Sequence, residues 1–130
     1  MGLISVPVRW VDIDAYGHVN NSRYFDFMTE ARAVFLKQFM HLAKNLHFIL
    51  VDTHCNFKRP IYYPSVVHIQ QNVQQIGTSS FELRYVFYVN DDHNTIMAEG
   101  SAKMVCFDPI KKAASPLPVA LNDFLHTIRE

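Results

Sequence analysis

Residues 9–44, RWVDIDAYGHVNNSRYFDFMTEARAVFLKQFMHLAK, contain the clearest secondary-structure signal in the sequence. The second half of this stretch repeats apolar residues every three or four positions, which predicts a helix with one buried stripe. The stripe contains Tyr24, Phe27, Met28, Ala31, Val34, Phe35, Phe39 and Leu42. Asn20, Asn21 and Ser22 are good N-cap residues. Because no Pro or Gly follows before Lys44, a long helix over residues 22–44 is permitted.

The segment before this helix is apolar and β-branched over residues 6–13, which predicts a strand. In a strand, side chains alternate between faces, so we expect Val8, Trp10, Asp12 and Asp14 to share one face. A turn over residues 15–18 then leads into the helix, and Gly17 permits the backbone angles that a tight turn needs.

After the helix the apolar pattern changes to a period of two. Strands are predicted at residues 49–57, around 67–73, at 81–87 and at 96–106, with turns at 77–79 and 90–94 and a short helix at 119–128. Small residues in the last strand, Ala98, Gly100 and Ala102, indicate a close approach by another element. The order predicts an α+β fold in which an antiparallel sheet of about five strands covers the long helix, within a single domain over residues 1–130.

Composition excludes several classes of function. Twelve basic and twelve acidic residues cancel, so no basic field favours nucleic acid. Two cysteines are too few for a disulfide framework, and the seven histidines lack metal-ligand spacing, so no metal is expected. The sequence lacks a membrane-spanning apolar run and a secretory signal pattern, which favours the cytoplasm. Charged residues are only 18%, below the usual quarter, which hints at a surface buried against another subunit.

The chemistry is expected between the first strand and the helix. Asp14 precedes the Gly17 turn, and Asn21 begins the helix, so a carboxylate lies near free backbone N–H donors. A carboxylate can act as nucleophile or general base on an activated acyl group, while N–H donors stabilise the oxyanion. Asp12 is the competing carboxylate. A turn-capping role for Asp14 is the structural alternative.

The run DIDAYGHVNNSRYFDFMTEAR, residues 12–32, resembles the signature of hot-dog-fold acyl-CoA thioesterases of the 4-hydroxybenzoyl-CoA thioesterase-like group. FKRP at 57–60 and GTSSF at 77–81 extend the resemblance downstream. It implies that Asp14 is the catalytic carboxylate and that the backbone N–H of Asn21 holds the thioester oxygen. Some branches of the family carry a catalytic histidine at the position of Asn21. The candidate substrate-binding residues are Gly17, His18, Tyr24, Arg59 and Ser80.

The resemblance further implies hydrolysis of a fatty or aryl acyl-CoA, in lipid metabolism, without metal or cofactor, by a homodimer or homotetramer with active sites between subunits. Two alternatives stay open. One is a thioesterase acting on acyl groups attached to a carrier protein, and the other is a non-catalytic acyl-CoA-binding protein on the same fold.

Overall fold

The computed structural model describes residues 2–129. Its strands are β1 (Gly2–Pro7), β2 (His47–Phe57), β3 (Val66–Ile76), β4 (Ser80–Val89), β5 (Ala98–Asp108) and the short β6 (Ala113–Ala114). Its helices are α1 (Asn21–Lys37) and α2 (Val119–Ile128), and single 3-10 turns lie at Trp10–Asp12 and Met40–Leu42. No helix within the described residues has the length and apolar character that crossing a membrane requires.

All strand pairs are antiparallel, and the main strands lie in the order β1-β3-β4-β5-β2, with β6 paired to β5. The segment containing α1 therefore connects the two outer strands of this order. This confirms the predicted α+β fold, with an antiparallel sheet of five main strands packed on a long helix.

The predicted stripe of α1 packs against the inner face of the sheet, except at Val34, which is 48% exposed. Tyr24, Met28 and Phe35 are at most 2% exposed. Close packing depends on Gly100 in β5, where an added Cβ atom would lie 2.6 Å from Met28 Sδ and 3.1 Å from the backbone oxygen of His54. The small residues predicted to mark a close approach therefore lie beneath α1.

The predicted strand over residues 6–13 is wrong beyond Pro7. The Asp12 carboxylate accepts hydrogen bonds from the Arg9 backbone at 2.8 Å and from Arg9 Nη2 at 2.9 Å, closing the chain into a 3-10 turn. Trp10 is 71% exposed whereas Asp12 is 1% exposed, so the two do not share a strand face. The hydrogen bonds between Asp12 and Arg9, three residues apart, therefore prevent the strand that the alternating apolar residues predict.

Helix α1 is shorter than the sequence permits, since it ends at Lys37. Phe39 then leaves the helical path and is fully buried, where its ring contacts Phe35 at 4.7 Å and Phe81 at 6.2 Å between centroids. Asn45 adopts a positive φ of 64°, which asparagine tolerates better than most residues. The chain thereby reverses direction and enters β2.

Candidate active site

A tight turn fixes the position of the Asp14 carboxylate. Asp14 Oδ1 accepts hydrogen bonds from the backbone N–H groups of Tyr16, at 2.8 Å, and His18, at 3.2 Å. Gly17 has a φ of +81°, a left-handed conformation that favours glycine. Among residues 2–129, Oδ2 of Asp14 has no hydrogen-bond partner. Asp14 thus caps the turn with one oxygen and leaves the other available for chemistry.

The start of α1 supplies a free backbone donor. Asn20 is the N-cap, and its side-chain oxygen accepts from Ser22 N at 3.1 Å. Arg23 N donates to the Asn20 carbonyl at 2.9 Å, whereas the N–H of Asn21 has no acceptor within residues 2–129. A free N–H at a helix N-terminus is suited to hold a negative oxygen because the helix dipole adds partial positive charge there.

Asp14 and Asn21 line the same recess, which has a volume of about 190 Å³. Its walls are formed by Asp14, His18, Val19, Asn21, Tyr24, Phe57, Lys58, Arg59 and Pro60. The structure therefore brings together five of the predicted site residues, namely Asp14, His18, Asn21, Tyr24 and Arg59. Gly17 lies in the turn beside the recess.

Tyr24 belongs to both the recess and the core. It is 2% exposed, and its ring lies 4.8 Å from that of Phe57 and 5.5 Å from that of Phe87. Burial raises the pKa of Tyr24 to about 12, with a smaller contribution from the nearby Cys55 thiol. Its phenol is therefore neutral at physiological pH and serves the recess as a wall rather than a base.

The second wall comes from the turn after β2. The backbone N–H groups of Lys58 and Arg59 both donate to the Met97 carbonyl at 3.0 Å, which holds this turn over the recess. Lys58 Nζ lies 4.0 Å from Glu99 Oε2, while Arg59 is exposed and has no ion pair among the described residues. Phe57 and Pro60 were not candidates from the sequence, although they flank Lys58 and Arg59 in the FKRP element.

Ser80 does not join the recess within one chain. It lies at the start of β4 and lines a different cavity with Gln75, Gly77 and Arg129. Its neighbour Phe81 contacts Phe35, near the C-terminal end of α1, whereas the recess lies at the N-terminal end. A single chain therefore gives no support to the expectation that Ser80 and Asp14 contact the same substrate.

Asp12 does not compete with Asp14. Burial alone would raise the pKa of its carboxyl, but hydrogen bonds and charge from Arg9, with a smaller contribution from Arg23, hold that pKa below its usual range. Arg23 Nε lies 3.5 Å from Asp12 Oδ1. Asp12 does not line the recess, and its charge is used to hold the loop before α1.

The recess holds the kinds of group that acyl transfer to water requires. It holds one carboxylate oxygen available to accept a proton, one free N–H donor for an oxyanion, and cationic side chains at its wall. Within residues 2–129, no three His, Cys, Asp or Glu side chains are grouped so that they could hold a metal ion.

Fold and site together define the hot-dog class of thioester hydrolases, and comparison with known proteins agrees. The sequence profile of the Thioesterase-like superfamily matches residues 8–125, so the chain belongs to this superfamily. It is similar to "Long-chain acyl-CoA thioesterase FadM" of Escherichia coli K12, with 32% identity over 92% of this chain and 93% of that protein. It is also similar to "Acyl-CoA thioester hydrolase YbgC" of E. coli O6:H1, with 26% identity over 89% of each chain.

The crystal structure of YbaW, a probable thioesterase from E. coli, superimposes with a TM-score of 0.86. The superposition covers 98% of both chains at 28% sequence identity.

Proposed function

We propose that this protein hydrolyses long-chain fatty acyl-CoA to the free fatty acid and CoA, with Asp14 and the backbone N–H of Asn21 as its catalytic groups. The observation that carries the proposal is that an available carboxylate oxygen and a free helix N-terminal donor line one recess. The fatty acyl class is favoured over the aryl class by the similarity to a long-chain acyl-CoA thioesterase.

In the proposed reaction Asp14 Oδ2 takes a proton from a water molecule, whose oxygen attacks the thioester carbon. Negative charge moves to the carbonyl oxygen, where the Asn21 N–H stabilises it. When the tetrahedral intermediate collapses, the C–S bond breaks, and the CoA thiolate takes the proton that Asp14 accepted. Single turnover in H2¹⁸O tests this route, because it puts ¹⁸O into the fatty acid. Direct attack by Asp14 would instead expel the CoA thiolate and form a mixed anhydride, and water attacking the Asp14 carbonyl of that anhydride would put ¹⁸O into the Asp14 carboxylate.

The proposed contact for the anionic part of CoA is Arg59, together with Lys58, since both cations line the recess. The two cysteines of the chain are free thiols, in keeping with the cytoplasmic location that we propose. The formal net charge is zero, so the chain as a whole has no basic field that would attract an acidic carrier protein, which favours CoA as the acyl carrier.

A homodimer is the proposed assembly. The recess, at about 190 Å³, is smaller than the roughly 300–1,000 Å³ typical of small-molecule sites, so a second copy is expected to complete it. Strand β2 pairs only with β5 among the described strands, and it exposes Ile49, Leu50 and Val51 by 40%, 40% and 54%. An apolar edge strand favours association with another strand. Sedimentation equilibrium of wild type and Val51→Lys separates dimer, tetramer and monomer.

The test of the function is release of free thiol from acetyl-, octanoyl-, palmitoyl- and benzoyl-CoA. Palmitoyl-CoA is the expected substrate, and Asp14→Asn is expected to lower kcat by about 10²–10⁴-fold. Asp26→Asn is the matched control, because that carboxylate is exposed on α1 and lies outside the recess. An enzyme blank corrects for Cys55 and Cys106. Tight binding of palmitoyl-CoA without thiol release would instead establish a binding protein, and preference for benzoyl-CoA would establish an aryl substrate.

A further inference from the structure

A second cavity, of about 400 Å³, lies where the end of α1 leads into β2, and we call it the α1–β2 cavity. Its lining is mainly apolar and includes Leu36, Met40, Ala43, Leu46 and Phe48, with polar residues at positions 44, 45 and 47. Its volume lies within the roughly 300–1,000 Å³ typical of small-molecule sites, which the recess does not reach. The recess therefore holds the candidate catalytic groups, whereas this cavity offers apolar volume that the recess lacks.

Within one chain the recess and the α1–β2 cavity lie at opposite ends of α1. The fifteen positions from Asn21 to Leu36 span about 22 Å of helix. Core packing fills the space between them, since Phe35 is 1% exposed and an added Cβ atom at Gly100 would lie 2.6 Å from Met28 Sδ. Among residues 2–129 the core therefore closes the direct route from a recess to the cavity of the same chain.

Both ends of β2 direct an aromatic ring to the side of the sheet on which α1 packs. Phe48 and Phe57 each contact an aromatic ring of residues 21–39, at 5.6 Å and 4.8 Å between centroids. Nine positions separate the two phenylalanines, and an odd separation places residues on opposite faces of a regular strand. The register shift in β2 leaves Val51 as an extra residue, and such a bulge returns both rings to one face. The wall of the recess and the α1–β2 cavity therefore lie on the same side of the sheet.

The proposed dimer places the recess of one copy beside the α1–β2 cavity of the other. A two-fold axis perpendicular to the sheet pairs β2 antiparallel with β2 of the second copy, because every contact from one copy is returned by the other. The His47 end of one β2 then lies beside the Phe57 end of its partner, and both copies of α1 stay on the same side of the sheet. Paired strands are about 5 Å apart, so this route is much shorter than the length of α1.

We propose that an acyl chain whose thioester lies in one recess ends in the α1–β2 cavity of the partner copy. The proposal rests on the proposed function and the proposed dimer, and it names the part of the molecule that accommodates a long chain. Transfer of methylene groups from water to an apolar lining supplies the binding energy. The side chains of this cavity, rather than those of the recess, then determine the longest chain that is accepted.

Two separate substitutions, Met40→Trp and Leu36→Trp, place a larger side chain at the wall of the α1–β2 cavity. In each variant kcat/KM for palmitoyl-CoA is expected to fall by at least about tenfold, since each methylene kept out of an apolar site lowers affinity by about fourfold. Turnover of octanoyl-CoA, whose chain ends nearer the thioester, is expected to stay near the wild-type value and thereby shows that the variant is folded. Ile110→Trp is the matched control, because Ile110 is 85% exposed in the turn after β5 and lies outside both cavities.

A mixed dimer decides which copy supplies the cavity. One copy carries Asp14→Asn, the other carries Met40→Trp, and two different affinity tags isolate the mixed dimer. If the chain crosses to the partner, the recess that keeps Asp14 is next to an unaltered cavity, so palmitoyl-CoA is expected to turn over at about half the wild-type rate. If each recess used the cavity of its own chain, the mixed dimer would hydrolyse octanoyl-CoA but not palmitoyl-CoA, and the proposal would be overturned.

Two thioethers, S-hexadecyl-CoA and S-octyl-CoA, repeat the comparison without turnover, because their C–S bond is not hydrolysed. Met40→Trp is expected to weaken binding of S-hexadecyl-CoA by at least about tenfold and to leave binding of S-octyl-CoA unchanged. That result in a protein that releases no thiol from any acyl-CoA would support the chain site and refute the thioesterase, so the two failures are distinguishable.

Three further results would overturn the proposal. The first is an equal loss for both chain lengths, and the second is no loss with either Met40→Trp or Leu36→Trp. The third is a change in the monomer–dimer equilibrium of these variants, measured by sedimentation equilibrium, without any effect of chain length. That result would assign the α1–β2 cavity to packing between the two copies rather than to the acyl chain.

Discussion

Replacing Tyr85 by phenylalanine tests the buried polar network that anchors α1 to the sheet. The Tyr85 hydroxyl donates to Gln71 Oε1 at 2.6 Å, and Gln71 Nε2 donates to the Ala31 carbonyl in α1 at 2.9 Å. Tyr85 is fully buried, and Gln71 is 4% exposed. Phenylalanine keeps the ring packing, so the substitution leaves no cavity. It deprives Gln71 Oε1 of its donor and removes the acceptor of a longer hydrogen bond from Arg32 Nη1, at 3.5 Å.

The expected loss of unfolding free energy for Tyr85→Phe is about 2 kcal/mol, from the roughly 1–3 kcal/mol cost of a buried unsatisfied group. For a chain of this length that loss lowers Tm by about 7 °C. Urea and thermal unfolding at one fixed protein concentration measure both, because association with a second copy would make Tm depend on concentration. Tyr88→Phe is the matched control and is expected to change stability by less than about 0.5 kcal/mol, since Tyr88 is only half-buried.

A double-mutant cycle makes this reasoning refutable. Gln71→Leu alone leaves the Tyr85 hydroxyl without its acceptor, whereas the double variant removes both partners, so the combined loss is expected to fall at least about 1 kcal/mol short of the sum. Additive losses, or a Tyr85→Phe protein as stable as wild type, would refute the network. Because neither residue lines the recess, kcat well below Tm is expected to stay unchanged.

Three further substitutions probe the elements around the site. Asn20→Ala removes the side-chain acceptor of Ser22 N and is expected to lower the free energy of unfolding in urea by about 1 kcal/mol. Asn20→Ser is expected to keep most of the wild-type stability, because serine is also a good N-cap residue. Equal losses in the two variants would contradict the capping role. Gly100→Val is expected to lower the free energy of unfolding by about 1–3 kcal/mol, because an added Cβ atom would lie 2.6 Å from Met28 Sδ. If the loss were as large in a Met28→Ala background, the clash with Met28 would be contradicted. Asp12 has a pKa below its ordinary value in the folded protein, so its contribution to stability is full above its unfolded pKa and is lost as the pH falls through the folded pKa. The stability gap between wild type and Asp12→Asn is therefore expected to be larger at pH 7 than at pH 3, and a gap independent of pH would contradict the ion pair.

Local patterns predicted most of the fold, and the errors fall where contacts compete with periodicity. Helix α2 has the predicted bounds, and the turns after β3 and β4 lie where Gly77 and Asn90 indicated. The first strand was overextended because the Asp12 side chain binds the Arg9 backbone, which an apolar pattern does not record. The end of α1 was unpredictable from spacing because Phe39 fits the helical stripe but is buried by leaving it.

The same distinction applies to the candidate site. Asp14 and Asn21 are seven positions apart, and the turn between them is held by bonds within five residues, so sequence alone brings them together. Whether Ser80 lies near the recess depends on the direction in which β4 crosses α1, and that direction is set by the whole sheet. Phe57 and Pro60 reach the recess only because β2 runs along the outer edge of β5 and ends beside Tyr24. A substrate that contacts both the Asp14 turn and the wall formed by Phe57 and Pro60 therefore binds best at one position of β2. Because β2 is also an edge strand, association of another strand with β2 is expected to change the shape of the recess.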